Sequence, residues 1–216
     1  MKAAIQIVLW LLCIFFVYKI YQSINQPIQF EKVKKERYSA VIAKLKDIRD
    51  SQEAHRSITG KFVGTFDKLI SFIDTADFVI TQQRDSSYLE YDPVYRIDML
   101  KEVVIIDTLG FVKVKDSLFK GSDRYKTMMN VPYAKNNEKF ALKADIIEKS
   151  GYKAAVFEAK VAKSVILHDQ PRYLVAQENE MISIDEVNGP EIIVGSLSEV
   201  STSGNWPDIY DARENK

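Results

Sequence analysis

Two histidines, one cysteine and scattered carboxylates are the groups in this 216-residue sequence from which chemistry could be assembled. Their spacing assembles none. His55 follows Glu53 by two positions, which places the pair on different faces of a helix, and His168 lies far along the chain. Asp92, Asp98 and Asp107 do not fall at calcium-loop intervals. The glycines are few and scattered, with no phosphate-cradling GxGxxG or P-loop and no GxSxG nucleophile elbow. Gly121-Ser122 and Gly195-Ser196 read as turns. Cys13 is the sole cysteine, so an intrachain disulfide and a thiolate metal cluster are both excluded. The expectation is a protein with no catalytic, cofactor-binding or metal residues, working by contact rather than turnover.

Charge sharpens that expectation. Thirty basic and thirty acidic residues cancel, whereas nucleic-acid affinity draws on a clustered basic excess. The one local excess, Lys32 to Arg37, is diluted by Glu31 and Glu36 and reads as a charged face just outside a membrane.

The elements that would position such contacts begin with an oily segment. Residues 3–18 are apolar except Gln6, and continuing through Tyr21 reaches the roughly 20 residues a helix needs to cross a hydrocarbon layer. Lys19, Tyr18 and Tyr21 suit the interface. A cleavable signal peptide needs small residues near its end, and Lys19–Pro27 offers only Ser23. Leu12 before Cys13 argues against a lipoprotein signal. Lys2 and Lys19 divide the positive-inside vote, and the short leading tail favours an uncleaved anchor in the cell (inner) membrane, with the head extracytoplasmic or periplasmic.

Ser23-Ile24-Asn25-Gln26-Pro27 then predicts a kink or hinge, because proline lacks a donor and disfavours helix at the preceding residue. An amphipathic helix is expected over Glu31–Ile58. Tyr38, Val41, Leu45 and Ile48, with Val33 before them, form its apolar stripe, and Lys32, Lys34, Lys35, Arg37, Lys44, Lys46, Asp47, Arg49 and Asp50 lie on the other faces. The stripe is expected to pack chiefly on its own sheet. Thr59-Gly60 supplies a stop, and Thr65 is a candidate cap for a helix over Phe66–Ile73.

The run Leu45-Lys46-Asp47-Ile48-Arg49-Asp50-Ser51-Gln52-Glu53-Ala54, then Thr59-Gly60-Lys61-Phe62 and Phe66-Asp67-Lys68-Leu69, resembles type II secretion pseudopilins and related type IV pilin-like proteins. The resemblance implies a membrane-anchoring apolar helix, a globular α+β head and a role in assembly. The family's processing site is a basic leader ending in glycine, followed by an aromatic residue and then a glutamate. This chain has no glycine before Gly60 and no acidic residue before Glu31. Some pseudopilins bind calcium through a late loop; Ser196-Leu197-Ser198-Glu199 to Asn205 has the oxygens but not the ligand pattern, and reads as an ordinary polar loop.

Beyond Asp77 the pattern turns to strands: Phe78–Thr81, Glu102–Asp107, Phe111–Val114 after a turn at Gly110, Phe140–Ile146, then Lys153–Val161 after a Ser150-Gly151 turn, and Ile192–Val194. Pro171 opens a helix over Arg172–Glu180, and Trp206-Pro207 is placed against the sheet. An antiparallel α+β head follows. Its segments are 1–27 (anchor and hinge), 28–75 (helices), 76–200 (β-rich head) and 201–216 (polar tail). The functional expectation is a single-pass structural or assembly subunit of an envelope apparatus. Its partners would be the lipid bilayer, through residues 3–21, and envelope proteins, itself among them; nucleic acid would not be one. The rival expectation is a tethered extracytoplasmic sensing or ligand-binding module that uses a groove near Tyr88, Tyr91 and Tyr95.

Overall fold

The expected hinge is absent. In the computed structural model, which describes residues 2–149 and 151–210 and the side chains from Gln6 onward, a single helix α1 runs Lys2–Thr59 straight through Pro27. Proline inside a helix costs about 3 kcal/mol, through one lost backbone bond and a clash, but Ser23, whose carbonyl loses its partner, is an exposed residue. Pro27 and Phe30 line a small cleft with Leu174 and Met181, and Tyr173 donates to Gln26 Oε1 at 2.9 Å. Tertiary contact therefore holds together a segment that local propensity alone would break.

Gly60 ends α1 as expected, with φ +76° and its N–H on the Arg56 carbonyl. Helix α2 (Phe66–Thr75) follows. Thr65 has the extended conformation of a cap residue, yet its side chain makes no capping bond. The chain then forms one hairpin, β1 (Asp77–Asp92) and β2 (Ile97–Lys113), in place of the three short strands read from sequence. Gly110 is not a turn. It lies within β2 opposite Ile80, beside a register shift that leaves Leu109 unpaired, and Val114 opens the next helix instead of closing a strand. A bulge of this kind bends a strand without ending it.

Helix α3 (Val114–Phe119) and a 3-10 turn (Asp123–Thr127) lead to β3 (Ala141–Lys149) and β4 (Tyr152–Ala162). Helices α4 (Lys163–Ile166) and α5 (Arg172–Asn179) precede β5 (Glu191–Gly195). The strands β3-β4-β5 make an antiparallel sheet separate from the hairpin. Ser150, in the expected turn, lies outside the described residues; Gly151 has φ +82°.

The core forms between α1 and this sheet. Tyr38, Val41, Ile42, Leu45 and Ile48 are buried with Phe157, Ala159, Ile192 and Val194, and Leu69, Ile73, Phe119 and Tyr125 complete the cluster. Each aliphatic side chain so buried contributes about 1.5–3 kcal/mol. The stripe thus faces its own head. The tail also returns to the sheet: Trp206 is buried, and Gly204 bridges Val194.

Candidate functional site

Helix α1 has two chemical halves. From Ile7 to Ile28 its large apolar side chains stand exposed, Trp10 at 70% and Val17 at 66%, and the helix is long and apolar enough to cross a membrane. Cys13 sits on this exposed half. From Phe30 onward the same helix is the spine of the head.

Where the halves meet lies a buried charge cluster that sequence reasoning missed. Lys34, expected on a face other than the apolar stripe, is only 2% exposed and continues the row Phe30, Tyr38, Val41, Leu45, Ile48. The i, i+4, i+8 spacing of Phe30, Lys34 and Tyr38 was legible; the counter-ion was not, because it comes from α5. Lys34 Nζ donates to Glu31, to Glu178 Oε2 at 3.1 Å and to Glu186 Oε2 at 3.2 Å. Lys163, fully buried, donates to Glu178 Oε1 and the Glu178 carbonyl at 2.9 Å each, and to the Val187 carbonyl at 2.7 Å. Tyr38 adds its hydroxyl to Glu178 Oε1 at 3.3 Å. Both ammonium groups thereby satisfy three donors.

Burial and pairing oppose each other at the two lysines. At Lys34, desolvation pulls the pKa down, but hydrogen bonds and charge from Glu31, Glu178 and Glu186 more than compensate and raise it. At Lys163, desolvation wins over the hydrogen bond and charge of Glu178 and the charge of Glu186, with Lys34 adding repulsion, so its pKa is lowered. Burial, and then Glu178, push the Tyr38 phenol up. The cluster joins α1 to α4, α5 and the loop before β5, fixing the head at the end of its exposed helix. Arg37 reinforces this join: it clasps Asp169 with contacts of 2.6 and 2.8 Å and donates to the Ile166 carbonyl. Of the basic run, Lys34 and Arg37 therefore serve the head, leaving Lys32 and Lys35 exposed beside the apolar half.

The chemistry-bearing residues singled out from sequence take local partners. His55 Nδ1 meets the Lys61 carbonyl and the Thr59 hydroxyl, and its ring packs edge-on to Phe72. His168 Nδ1 lies 3.2 Å from the Val165 carbonyl. Asp92 accepts from the Val94 and Tyr95 N–H groups in the hairpin turn; Asp107 pairs with Arg84, and Asp98 stands opposite Tyr91. In the late loop, Ser196 Oγ accepts from the Ser198 and Glu199 N–H groups, and Asn205 ties Asn188, Glu191 and Ile193 together. Among the described residues, no group of three or more His, Cys, Asp or Glu side chains is placed to hold a metal. Tyr88 and Tyr91 stand opposite Lys101 and Asp98 on opposite faces of the hairpin, and Tyr95 is in its turn, so the three do not line one groove.

No protein-family model, curated protein or solved structure matches the chain.

The second unusual feature is the hairpin. Strands of 16 and 17 residues make a ribbon about 50 Å long, rooted against α2 and α3 by the Val114 N–H bond to the Ala76 carbonyl. Most of it is exposed on both faces, including Leu89, Leu100, Val104 and Ile106. A lone two-stranded ribbon is only marginally stable in water, and a hydrophobic strand with an open edge invites another strand.

Proposed function

We propose that this protein is a single-pass, membrane-anchored structural or assembly subunit of an envelope apparatus, pilin- or pseudopilin-like in plan, with its head extracytoplasmic. It acts by packing and not by turnover. The observation that carries this reading is α1 itself: one 58-residue helix, bare and apolar over its first half and the spine of the head core over its second. An uninterrupted helix of that length extends about 87 Å, so lateral packing of its exposed half would set the position of the head. The Lys34–Glu178–Lys163 cluster and the Arg37–Asp169 clasp fix the head to that rod at the junction. The resemblance of residues 45–69 to pseudopilins points the same way.

Cell fractionation with mass spectrometry tests the reading. The expected result is a chain that keeps residues 6–27, resists alkaline extraction from membranes and migrates in native gels within a species larger than its own mass. A protein starting after Gln26 and recovered as a free monomer would overturn it.

A further inference from the structure

We propose that the free edge of β2 pairs antiparallel with the same edge of a second copy, about a two-fold axis at Val104, merging two hairpins into one four-stranded sheet. This names a partner for the assembly role and rests on that reading.

The first observation is an asymmetry between strands. A ribbon meant to lie with one face on a core alternates apolar and polar residues. Here β2 carries Val103, Val104, Ile105 and Ile106 in succession, and the β1 residues opposite them are Ser86, Asp85, Arg84 and Gln83. A strand apolar on both faces suits the interior of a sheet, and a strand polar on both faces suits its edge. Yet this sheet has only two strands, so β2 has an open edge. Self-pairing through β2 puts the two apolar strands in the middle and the two polar strands outside.

The second observation is charge register. With Val104 opposite its own copy, Val103 faces the partner's Ile105 and Lys101 faces the partner's Asp107. Within one chain, Lys101 already reaches Glu90 at 2.6 Å and Asp107 receives Arg84 at 3.1 Å. Lys101 stands opposite Tyr88 and Asp107 opposite Gln82, an even number of β1 residues apart, so both project from one face. Across the axis the row Arg84, Asp107, the partner's Lys101, the partner's Glu90 alternates in sign, and symmetry supplies the row twice. Sliding by one residue either sets Glu102 opposite the partner's Asp107 or takes the carboxylate from Lys101. Like charges directly opposite destabilise a strand pair, so the register selects itself.

Disulfide mapping of the full-length chain in membranes, in a Cys13→Ser background, tests the pairing. Directly opposed residues have Cα atoms about 4.5–5.5 Å apart, within disulfide reach. Val104→Cys is expected to give a covalent dimer on mild oxidation. Leu100→Cys alone and Thr108→Cys alone are expected not to, because each lies about 27 Å from its own copy, while a mixture of the two should cross-link. These positions are exposed, and an unchanged Trp206 emission verifies the fold of each variant. Self-linking of Leu100→Cys at the level of Val104→Cys would overturn the register. Failure of every pair in a chain still held in a large membrane complex would overturn hairpin pairing and leave the assembly reading standing. Failure in a chain that is also monomeric would remove both, and cross-linking of Val104→Cys only to a different protein would replace the second copy with that partner.

Discussion

Glu178→Gln is the perturbation that most directly tests how the head is fixed to its helix. The change is nearly isosteric, so it removes charge without opening a cavity. Lys163, with no exposure to water, would keep the Glu178-position and Val187 carbonyls but lose the carboxylate it hydrogen-bonds, whereas Lys34 would keep Glu31 and Glu186. Removing one member of a buried ion pair costs about 3–5 kcal/mol. Because Lys34 retains two partners, about 3 kcal/mol is expected, more than a hundredfold in the unfolding constant. With a denaturant slope of about 1–3 kcal/mol per molar urea, the midpoint falls by about 1–3 M. Trp206, buried in the head, reports the transition once Trp10 on the exposed half is replaced by Phe.

The pH dependence supplies a second readout with a definite sign. Lys163 has a lowered pKa in the folded state through burial, opposed by Glu178. Loss of that carboxylate lowers it further, so between the folded value and 10.5 the unfolded chain binds more protons and stability rises with pH. The deficit of Glu178→Gln should therefore shrink on going from pH 7 toward pH 9.5. The raised pKa of Lys34 acts oppositely, its contribution being complete below 10.5 and lost only as pH rises through its folded value. A deficit under about 1 kcal/mol, or one that grows with pH, would refute the reasoning.

Three further outcomes follow from single contacts. Gln52 is buried and holds both the N–H and the carbonyl of Val63, at 2.9 and 2.6 Å, so Gln52→Ala should cost about 2–4 kcal/mol in urea unfolding through two orphaned backbone groups. The Arg37 guanidinium, through its hydrogen bonds, holds the Asp169 carboxyl well below its ordinary 3.8. The stability this gives is complete above that ordinary value and fades as pH falls below it toward the folded value. Asp169 is 46% exposed, so Asp169→Asn should cost no more than about 1 kcal/mol at pH 7, with the gap from the parent narrowing below about pH 4. Gly195 has φ +77°, and an added Cβ would lie 2.3 Å from the Phe157 carbonyl oxygen. Gly195→Ala should therefore lower the melting temperature and cost more stability than an unhindered left-handed residue does, about 1–2 kcal/mol.

What the sequence by itself determined is what local periodicity and composition can carry. The stripe Tyr38, Val41, Leu45, Ile48 and the strand around Phe157 followed from repeats of 3.6 and 2 residues, the apolar N-terminal run from its length and composition, the Gly60 stop from glycine's left-handed conformation, and the helix after Pro171 and the strand around Ile193 from local composition. Only the tertiary structure decided the rest. Pro27 stays helical beside α5, whose Tyr173 bonds the neighbouring Gln26, Lys34 is interior because Glu178 arrives from 144 positions away, and Gly110 sits in a strand because β1 continues alongside it. The Val103–Ile106 run signalled a strand, but what lies on either side of it is a matter of pairing between distant segments. Each surprise is a cost that the chain's own neighbours cannot offset and that a remote part of the fold can, and no local pattern records that distant partner.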